Sequence, residues 1–234
     1  MADIFQVKVR EVILRTYNVK SVRVDFPGVP FKAGQFLQVS LGEDKALKRY
    51  LSISNAPTET GYLEFTKRIT DSEFSQRLSS LRSGDALSIQ YPYGKFTYED
   101  NPAGKIAFLS GGIGITPIRS ISRFVTDRAL DVDIILIYAN RSINDIVFKD
   151  DFDAMAKVSS NIRVAHVLCE PAPDFKCAVG RINSTIISNQ SPDYAERTFF
   201  LCGPPAMVES MKKILREELS VPETQIVTEN FQGY

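Results

Sequence analysis

The sequence predicts two domains, an N-terminal antiparallel β-barrel over residues 1–100 and a C-terminal α/β domain with a five-stranded parallel sheet over residues 101–234. Three observations lead there. The first hundred residues carry short alternating or β-branched runs cut by turn residues. After the polar, Pro- and Gly-containing stretch Tyr98–Lys105 the pattern changes to apolar strand-like runs alternating with helical ones. The first of those apolar runs ends in a glycine cluster, "LSGGIGITP" (Leu109–Pro117).

The N-terminal strands are read in order as "IFQVKVREVIL", "VKSVRVDF", "GQFLQVSL", "RYLSIS", "GYLEFTKRI" and "ALSIQYPYGKFTY". Pro27-Gly28, Ala33-Gly34, Asn55-Ala56-Pro57, Gly61 and Gly84-Asp85 separate them. Strands of this spacing suit a small antiparallel barrel. One short helix is expected at Glu73–Leu81, inside "SEFSQRLSSL".

In the second half the strands are "KIAFLS", "DIILIYA", "IRVAHVL", "RTFFLC" and "QIVTE". Between them lie the helical stretches "TPIRSISRFVTD", "FKDDFDAMAKV", "INSTIIS" and "PPAMVESMKKILREEL". Continuously apolar strands alternating with helices mean a parallel sheet covered on both faces, and such sheets bind ligands beyond the carboxyl ends of their strands.

Composition excludes several function classes. Lys+Arg and Asp+Glu both number 28, so no strong basic excess offers itself to nucleic acid or an anionic membrane. Three cysteines, Cys169, Cys177 and Cys202, form no CxxC pair and are too few for a four-thiolate iron–sulfur cluster. No metal site is expected. No apolar run approaches a membrane span, and "MADIFQVKVREV" lacks a signal-peptide core, so a cytoplasmic protein is expected.

The glycine stretch closes the first parallel strand and opens the first helix. Thr116 is expected as the N-cap and Pro117 as the first helical residue. Ile118, Ile121 and Phe124/Val125 then recur at helical spacing toward the sheet. Glycines permit a tight turn and close backbone approach, and the helix N-terminus carries partial positive charge, so the turn suits a phosphate. The fit to G-x-G-x-x-G is incomplete, because Pro117 stands where the last glycine belongs. "LCGPPAMVESM" (Leu201–Met211) is a second strand end with glycine and a Pro-Pro helix start, which places Cys202 at the carboxyl edge of the same sheet. The single histidine, His166, falls in a buried strand with no fitting acid or nucleophile beside it and is expected to be structural and hydrogen-bonded.

With these motifs in this order the sequence resembles the ferredoxin–NADP(H) reductase superfamily, flavoenzymes with a flavin-binding barrel and a nicotinamide-binding α/β domain. "RYLS" (Arg49-Tyr50-Leu51-Ser52) resembles the family's Arg-x-aromatic-Ser motif. The resemblance implies that Arg49 meets the FAD pyrophosphate and Ser52 hydrogen-bonds flavin N5, with Leu51 in place of the usual aromatic and Tyr50 on the opposite strand face. "KRITDSEFS" (Lys67–Ser75) resembles the second flavin segment, and the resemblance implies contacts from Thr66, Lys67, Ser72, Glu73, Phe74 and Ser75, with Asp71 where glycine is common. "GGIGITP" resembles the nicotinamide-dinucleotide segment, which implies Gly112, Gly114, Ile115 and Thr116 at that site. "CGPP" implies Cys202, Gly203 and Pro204 near the nicotinamide, and "ENFQGY" implies Glu229 in the hydride path and Phe231 as a movable cover over the flavin, with Tyr234 ranked second.

The resemblance implies an FAD-dependent NAD(P)H oxidoreductase passing electrons to a separate acceptor protein, such as ferredoxin, flavodoxin or an oxygenase component. The alternatives are an NAD(P)H:free flavin reductase and, from another class, a non-catalytic electron-relay or regulatory subunit. Arg141 follows the second parallel strand and could meet a 2′-phosphate, but no acid stands at that strand end, so NADH against NADPH is open.

Overall fold

The computed structural model describes residues 3–229 apart from 27, 29, 45, 46 and 101. The N-terminal strands are β1 (Asp3–Thr16), β2 (Val19–Asp25), β3 (Phe36–Ser40), β4 (Lys48–Ser52), β5 (Tyr62–Arg68) and β6 (Ala86–Tyr93). They pair antiparallel in the order β4-β3-β6-β1-β2-β5. An antiparallel bridge between Ile53 and Phe65 joins the end of β4 to β5 and closes the barrel. Alternate residues point inward, as a period of two requires: Leu37 and Val39 from β3, Leu87, Ile89 and Tyr91 from β6. Helix α1 (Glu73–Ser79) is shorter than expected and inserts Phe74 and Leu78 into this core.

The second half contains β7 (Lys105–Gly111), α2 (Ile115–Asp127), β8 (Asp133–Asn140), α3 (Lys149–Val158), β9 (Ile162–Leu168), β10 (Ala178–Val179), α4 (Ser184–Gln190), β11 (Thr198–Cys202), α5 (Pro205–Lys213) and β12 (Ile226–Thr228). The sheet is parallel, in the order β10-β9-β8-β7-β11-β12. It therefore has six strands, not the five expected. The additional strand is β10, whose two residues pair with Val167 and Leu168 at the edge, too short a run for any periodicity to betray.

Both faces of the sheet are covered. Ile106 and Phe108 pack with Ile118, Ile121 and Phe152 on one side; Ala107 and Leu109 pack with Ile187, Val208 and Met211 on the other. Burying each such aliphatic side chain contributes about 1.5–3 kcal/mol. Strand order reverses between β7 and β11, so the crevice for a ligand opens beyond Gly111 and Cys202.

The barrel is joined to this crevice. Val19, Ala33 and Phe96 belong to the same apolar cluster as Ile118 and Ile121. The Ser120 hydroxyl donates to the Asn55 carbonyl at 2.7 Å. The buried Arg119 guanidinium pairs with Glu59 from the barrel and with Asp151 from α3 at 2.6 Å, and donates to the Ser54 carbonyl at 3.2 Å. Among the described residues no helix is long and apolar enough to cross a membrane.

Candidate active site

The site is built outward from the turn after β7. Gly112 takes φ +53°, a conformation side chains disfavour, and Gly112–Gly114 wind a 3₁₀ turn that runs directly into α2. The Tyr138 hydroxyl donates to the Gly112 carbonyl at 2.8 Å and fixes the turn. The helix begins at Ile115 with Gly114 at the cap position. Thr116 is therefore not the N-cap: its hydroxyl donates to the Ile113 carbonyl at 3.1 Å from inside the first turn. The reason is that the glycines already carry helical curvature, which moves the start of the helix ahead of the Thr-Pro pair. Pro117 still lies in the first turn, where its missing N–H leaves no bond unmade.

A cleft of about 300 Å³ opens here between the two domains. From the barrel it is lined by Tyr50, Leu51, Ser52, Thr66, Lys67, Arg68 and Thr70; the α/β domain contributes Gly111, Gly112, Ile113, Thr116 and the Pro204-Pro205 pair. Eight expected residues are thus on one wall or the other: Tyr50, Leu51, Ser52, Thr66 and Lys67 from β4 and β5, with Gly112, Thr116 and Pro204 opposite. Tyr50 and Leu51 both reach the rim despite strand alternation, because Tyr50 is half exposed at the barrel edge, its ring edge-on to Phe36 and Tyr93 at 5.6 and 5.7 Å.

Two cations lie together at the barrel wall. Arg49 lies with its guanidinium carbon 5.5 Å from the Phe74 ring centroid and donates to the Lys48 carbonyl. Burial, and then the like charge of Arg49, hold the Lys67 ammonium below its ordinary value. Phe74 and Ser75 are buried, and the Ser75 hydroxyl is engaged with Thr70 and Ser72, while Ser72 caps the helix by accepting from the Ser75 N–H at 3.3 Å. Glu73 is exposed in the first turn.

Behind the other wall, Cys202 is fully buried, paired in register with Ser110. Burial, and then the charge of Glu229, push its thiol well above the ordinary value. Glu229 is itself buried, which pushes its carboxyl up to about 8, and its Oε2 has no hydrogen-bond partner among the described residues. Its Oε1 lies 3.1 Å from where a Cβ on Gly94 would stand, and the Phe36 ring lies 2.8 Å from the same point. Phe36 in turn pairs with Ser52 across β3 and β4. Ser52 and Glu229 thus share Phe36 as a neighbour, and Glu229 acts on Cys202 through its charge; of the three, only Ser52 lines the cleft itself. Ile115 is buried beneath the turn, and Gly114 and Gly203 sit where strand β11 and the turn touch backbone to backbone. Arg141 stands apart, in a second, polar cleft. Phe231 and Tyr234 lie outside the described residues.

Sequence reasoning missed Arg68, Thr70, Gly111, Ile113 and Pro205. Arg68 is the notable omission: its Nε is buried with no hydrogen-bond partner among the described residues, and its Nη2 lies 3.3 Å from where a Cβ on Gly112 would stand. The signal was present, since residues 66 and 68 of one strand share a face. His166, expected to be hydrogen-bonded, has an unpartnered buried Nδ1 among the described residues. Its ring lies 5.0 Å from Phe175, and burial, then the charge of Lys149, lower its pKa.

Residues 5–98 match the family described as oxidoreductase FAD-binding domain, and residues 108–213 match the oxidoreductase NAD-binding domain. The chain is 32% identical over 192 residues to a glycine betaine monooxygenase reductase subunit of Pseudomonas aeruginosa, covering 80% of this chain and 52% of that protein. It thus spans about half the length of such relatives. It is 30% identical to NADH-cytochrome b5 reductase 1 of Ajellomyces capsulatus, over 89% of this chain and 72% of that one. In fold it matches the cytochrome b5 reductase domain of Ulva prolifera nitrate reductase (TM-score 0.87, 20% identity, 97% of each chain). It also matches a ferredoxin NADP+ reductase from Neisseria gonorrhoeae with bound FAD and NADP (TM-score 0.83, 24% identity, 99% of this chain and 100% of that one). With both domain families matched in order and a cleft between them, the chain belongs to the ferredoxin–NADP(H) reductase superfamily of NAD(P)H-dependent flavoprotein oxidoreductases, with FAD and a nicotinamide dinucleotide as its cofactors.

Proposed function

We propose that this chain is the reductase component of an electron-transfer pair, taking electrons from NAD(P)H and delivering them to a separate acceptor protein such as an oxygenase component, a ferredoxin or a flavodoxin. The observation that carries the reading is the cleft itself, where Ser52 of the barrel faces the Gly111–Ile113 turn and Pro204 of the sheet. The relatives described as reductase subunits support the acceptor class. The three cysteines here are fewer than the four thiolates that a cysteine-ligated iron–sulfur cluster takes.

The residues present fit FAD. Arg49 and Lys67, two cations drawn together with the Lys67 ammonium lowered, suit a diphosphate. The apolar cleft walls, Leu51 and Ile113 among them, suit a flat ring system. When bound, FAD supplies acceptance of an electron pair from the nicotinamide and its release to the acceptor. The chain's own contribution is geometry. The Ser52 hydroxyl would donate or accept at the flavin edge, and Leu51 would pack against the ring. The Gly112–Gly114 turn and Arg68 would hold the dinucleotide phosphates. Glu229 retains its proton at neutral pH beside that path, with Cys202 as a neutral wall. Holding two rings at reacting distance is worth about 7–11 kcal/mol of barrier.

The test is an absorbance spectrum of the purified protein under anaerobic conditions, before and after NADH or NADPH, then with ferredoxin or an oxygenase component. A bound flavin that bleaches and is re-oxidised by the carrier protein is expected. A protein that cannot retain added FAD overturns the reading. Release of reduced flavin makes it a free-flavin reductase, and a bound flavin that neither nucleotide bleaches makes it a relay subunit.

A further inference from the structure

The second, polar cleft lies between the β1–β2 hairpin of the barrel and the carboxyl ends of β8 and β9. Thr16, Tyr17, Arg141, Ser142, Asn144 and Glu170 line it. Its floor is held by the buried Asp145, which accepts from the Ser142 N–H at 3.2 Å, the Ser142 hydroxyl at 2.8 Å and the Tyr17 hydroxyl at 2.9 Å. Tyr17 is thereby clamped across the domain boundary while the residue stays 68% exposed.

Arg68 links this cleft to the first. It lines the first cleft beside Gly112, and its charge also acts at Asp145: burial raises that carboxyl, but the Ser142 and Tyr17 hydrogen bonds and the Arg68 charge together bring it below its ordinary value. A ligand whose phosphates rest at Gly112 and Arg68 therefore reaches, at its far end, the strand ends where a dinucleotide's ribose is read.

The end of β8 carries no acid of its own, but β9 brings one. Backbone bonds continue the β8–β9 pairing past the strands, from the Cys169 N–H to the Asn140 carbonyl at 3.1 Å and from the Glu170 N–H to the Arg141 carbonyl at 2.9 Å. Glu170 is thus fixed beside Arg141, and its Oε1 accepts from the Arg141 Nε at 2.7 Å. This carboxylate can accept from ribose hydroxyls, neutralises the one cation of the strand end that could attract a 2′-phosphate, and repels that phosphate. Arg15, the other cation of this cleft, is already paired with Glu64 and Asp151.

We propose that Glu170 is the specificity-determining residue that makes this chain prefer NADH over NADPH, by reading the adenosine ribose and holding Arg141 in an ion pair. This rests on the reductase reading above. The test compares wild type, Glu170→Ala and Glu170→Ala/Arg141→Ala in two assays: flavin reduction by NADH and NADPH, and calorimetric binding of ADP and 2′,5′-ADP.

Wild type is expected to favour NADH and ADP. In Glu170→Ala the NADPH:NADH ratio of kcat/KM and the relative affinity for 2′,5′-ADP should both rise at least about tenfold, a modest figure for removal of a like charge because Glu170 is half exposed. The double variant should lose that gain, since it runs through the freed Arg141. A wild-type preference for NADPH, or ratios in Glu170→Ala within about twofold of wild type, overturns the inference while leaving the reductase reading intact. Failure of both nucleotides to reduce the flavin removes the reductase reading and this inference with it.

Discussion

Gly114 and Cys202 meet backbone to backbone: a Cβ on Gly114 would stand 2.5 Å from the Cys202 carbonyl carbon and 2.7 Å from the Gly203 Cα. This contact sets the start of α2 against the end of β11, the two elements that make the sheet side of the cleft. Gly114→Ala must push them apart, because neither neighbour is a flexible side chain. A loss of about 1–3 kcal/mol in denaturant unfolding is expected, with a marked fall in NAD(P)H-dependent flavin reduction. Gly104→Ala is the control, since a Cβ there meets nothing within 4 Å. It should change stability by less than about 0.5 kcal/mol. Equal effects of the two substitutions would show that the close approach is unimportant.

Arg68 carries a different expectation. Its Nε has no hydrogen-bond partner among the described residues, so removing the guanidinium orphans no partner of that atom. Arg68→Met should leave the melting temperature nearly unchanged while raising the KM for NAD(P)H about tenfold, the scale of one charge-assisted hydrogen bond to phosphate. An unchanged KM would take Arg68 out of nucleotide binding.

What the chain disclosed in advance follows the range of its interactions. Strands such as β7 and β8 were legible because burial on both faces leaves near-continuous apolar runs, and α2 because Ile118, Ile121 and Val125 repeat at helical spacing. The two residues of β10 are too few to form a pattern. The Thr116 cap was misplaced because a Thr-Pro pair looks like a helix start wherever it stands, and nothing local says that the Gly112–Gly114 turn has begun the winding. The pairing of Arg141 with Glu170 spans 29 residues and that of Glu59 with Arg119 spans 60. Only assembled strand order brings such groups together, which is why the motifs gave the cleft's turn, its rim and Lys67 while these ion pairs went unread.

Glu229 gives the fold a pH dependence of definite sign. Burial raises its carboxyl from 4.5 to about 8. Below the ordinary value both folded and unfolded chains hold the proton; between the two values only the folded chain does. Stability therefore falls as pH rises through that window and is level above it. The fall amounts to at most about 5 kcal/mol. Glu229→Gln should abolish it in denaturation curves taken from about pH 5 to pH 8, and should slow flavin reduction while FAD binding is retained. A wild-type stability independent of pH in this range would mean that the carboxyl is solvated or paired.

The Arg119–Glu59 pair tests what holds the two domains in register. Arg119 lies one turn into α2 from the glycine turn, with its side chain 5% exposed, and Glu59 belongs to the barrel. Burial alone would raise the Glu59 carboxyl, but the hydrogen bonds and charge of Arg119, with the Ala56 N–H, hold it below its ordinary value. A lowered folded value means stability that is present above the ordinary carboxylate range and is lost as pH falls through the folded one. Arg119→Met strands the Glu59 and Asp151 carboxylates and should cost about 3–5 kcal/mol at neutral pH, with the loss shrinking as Glu59 is protonated in acid. The double variant Arg119→Met/Glu59→Gln should recover part of that stability, because the penalty is chiefly the uncompensated charge. Strictly additive losses, independent of pH, would show that the contact between barrel and α2 depends on the apolar packing of Ala33, Phe96 and Ile121 instead.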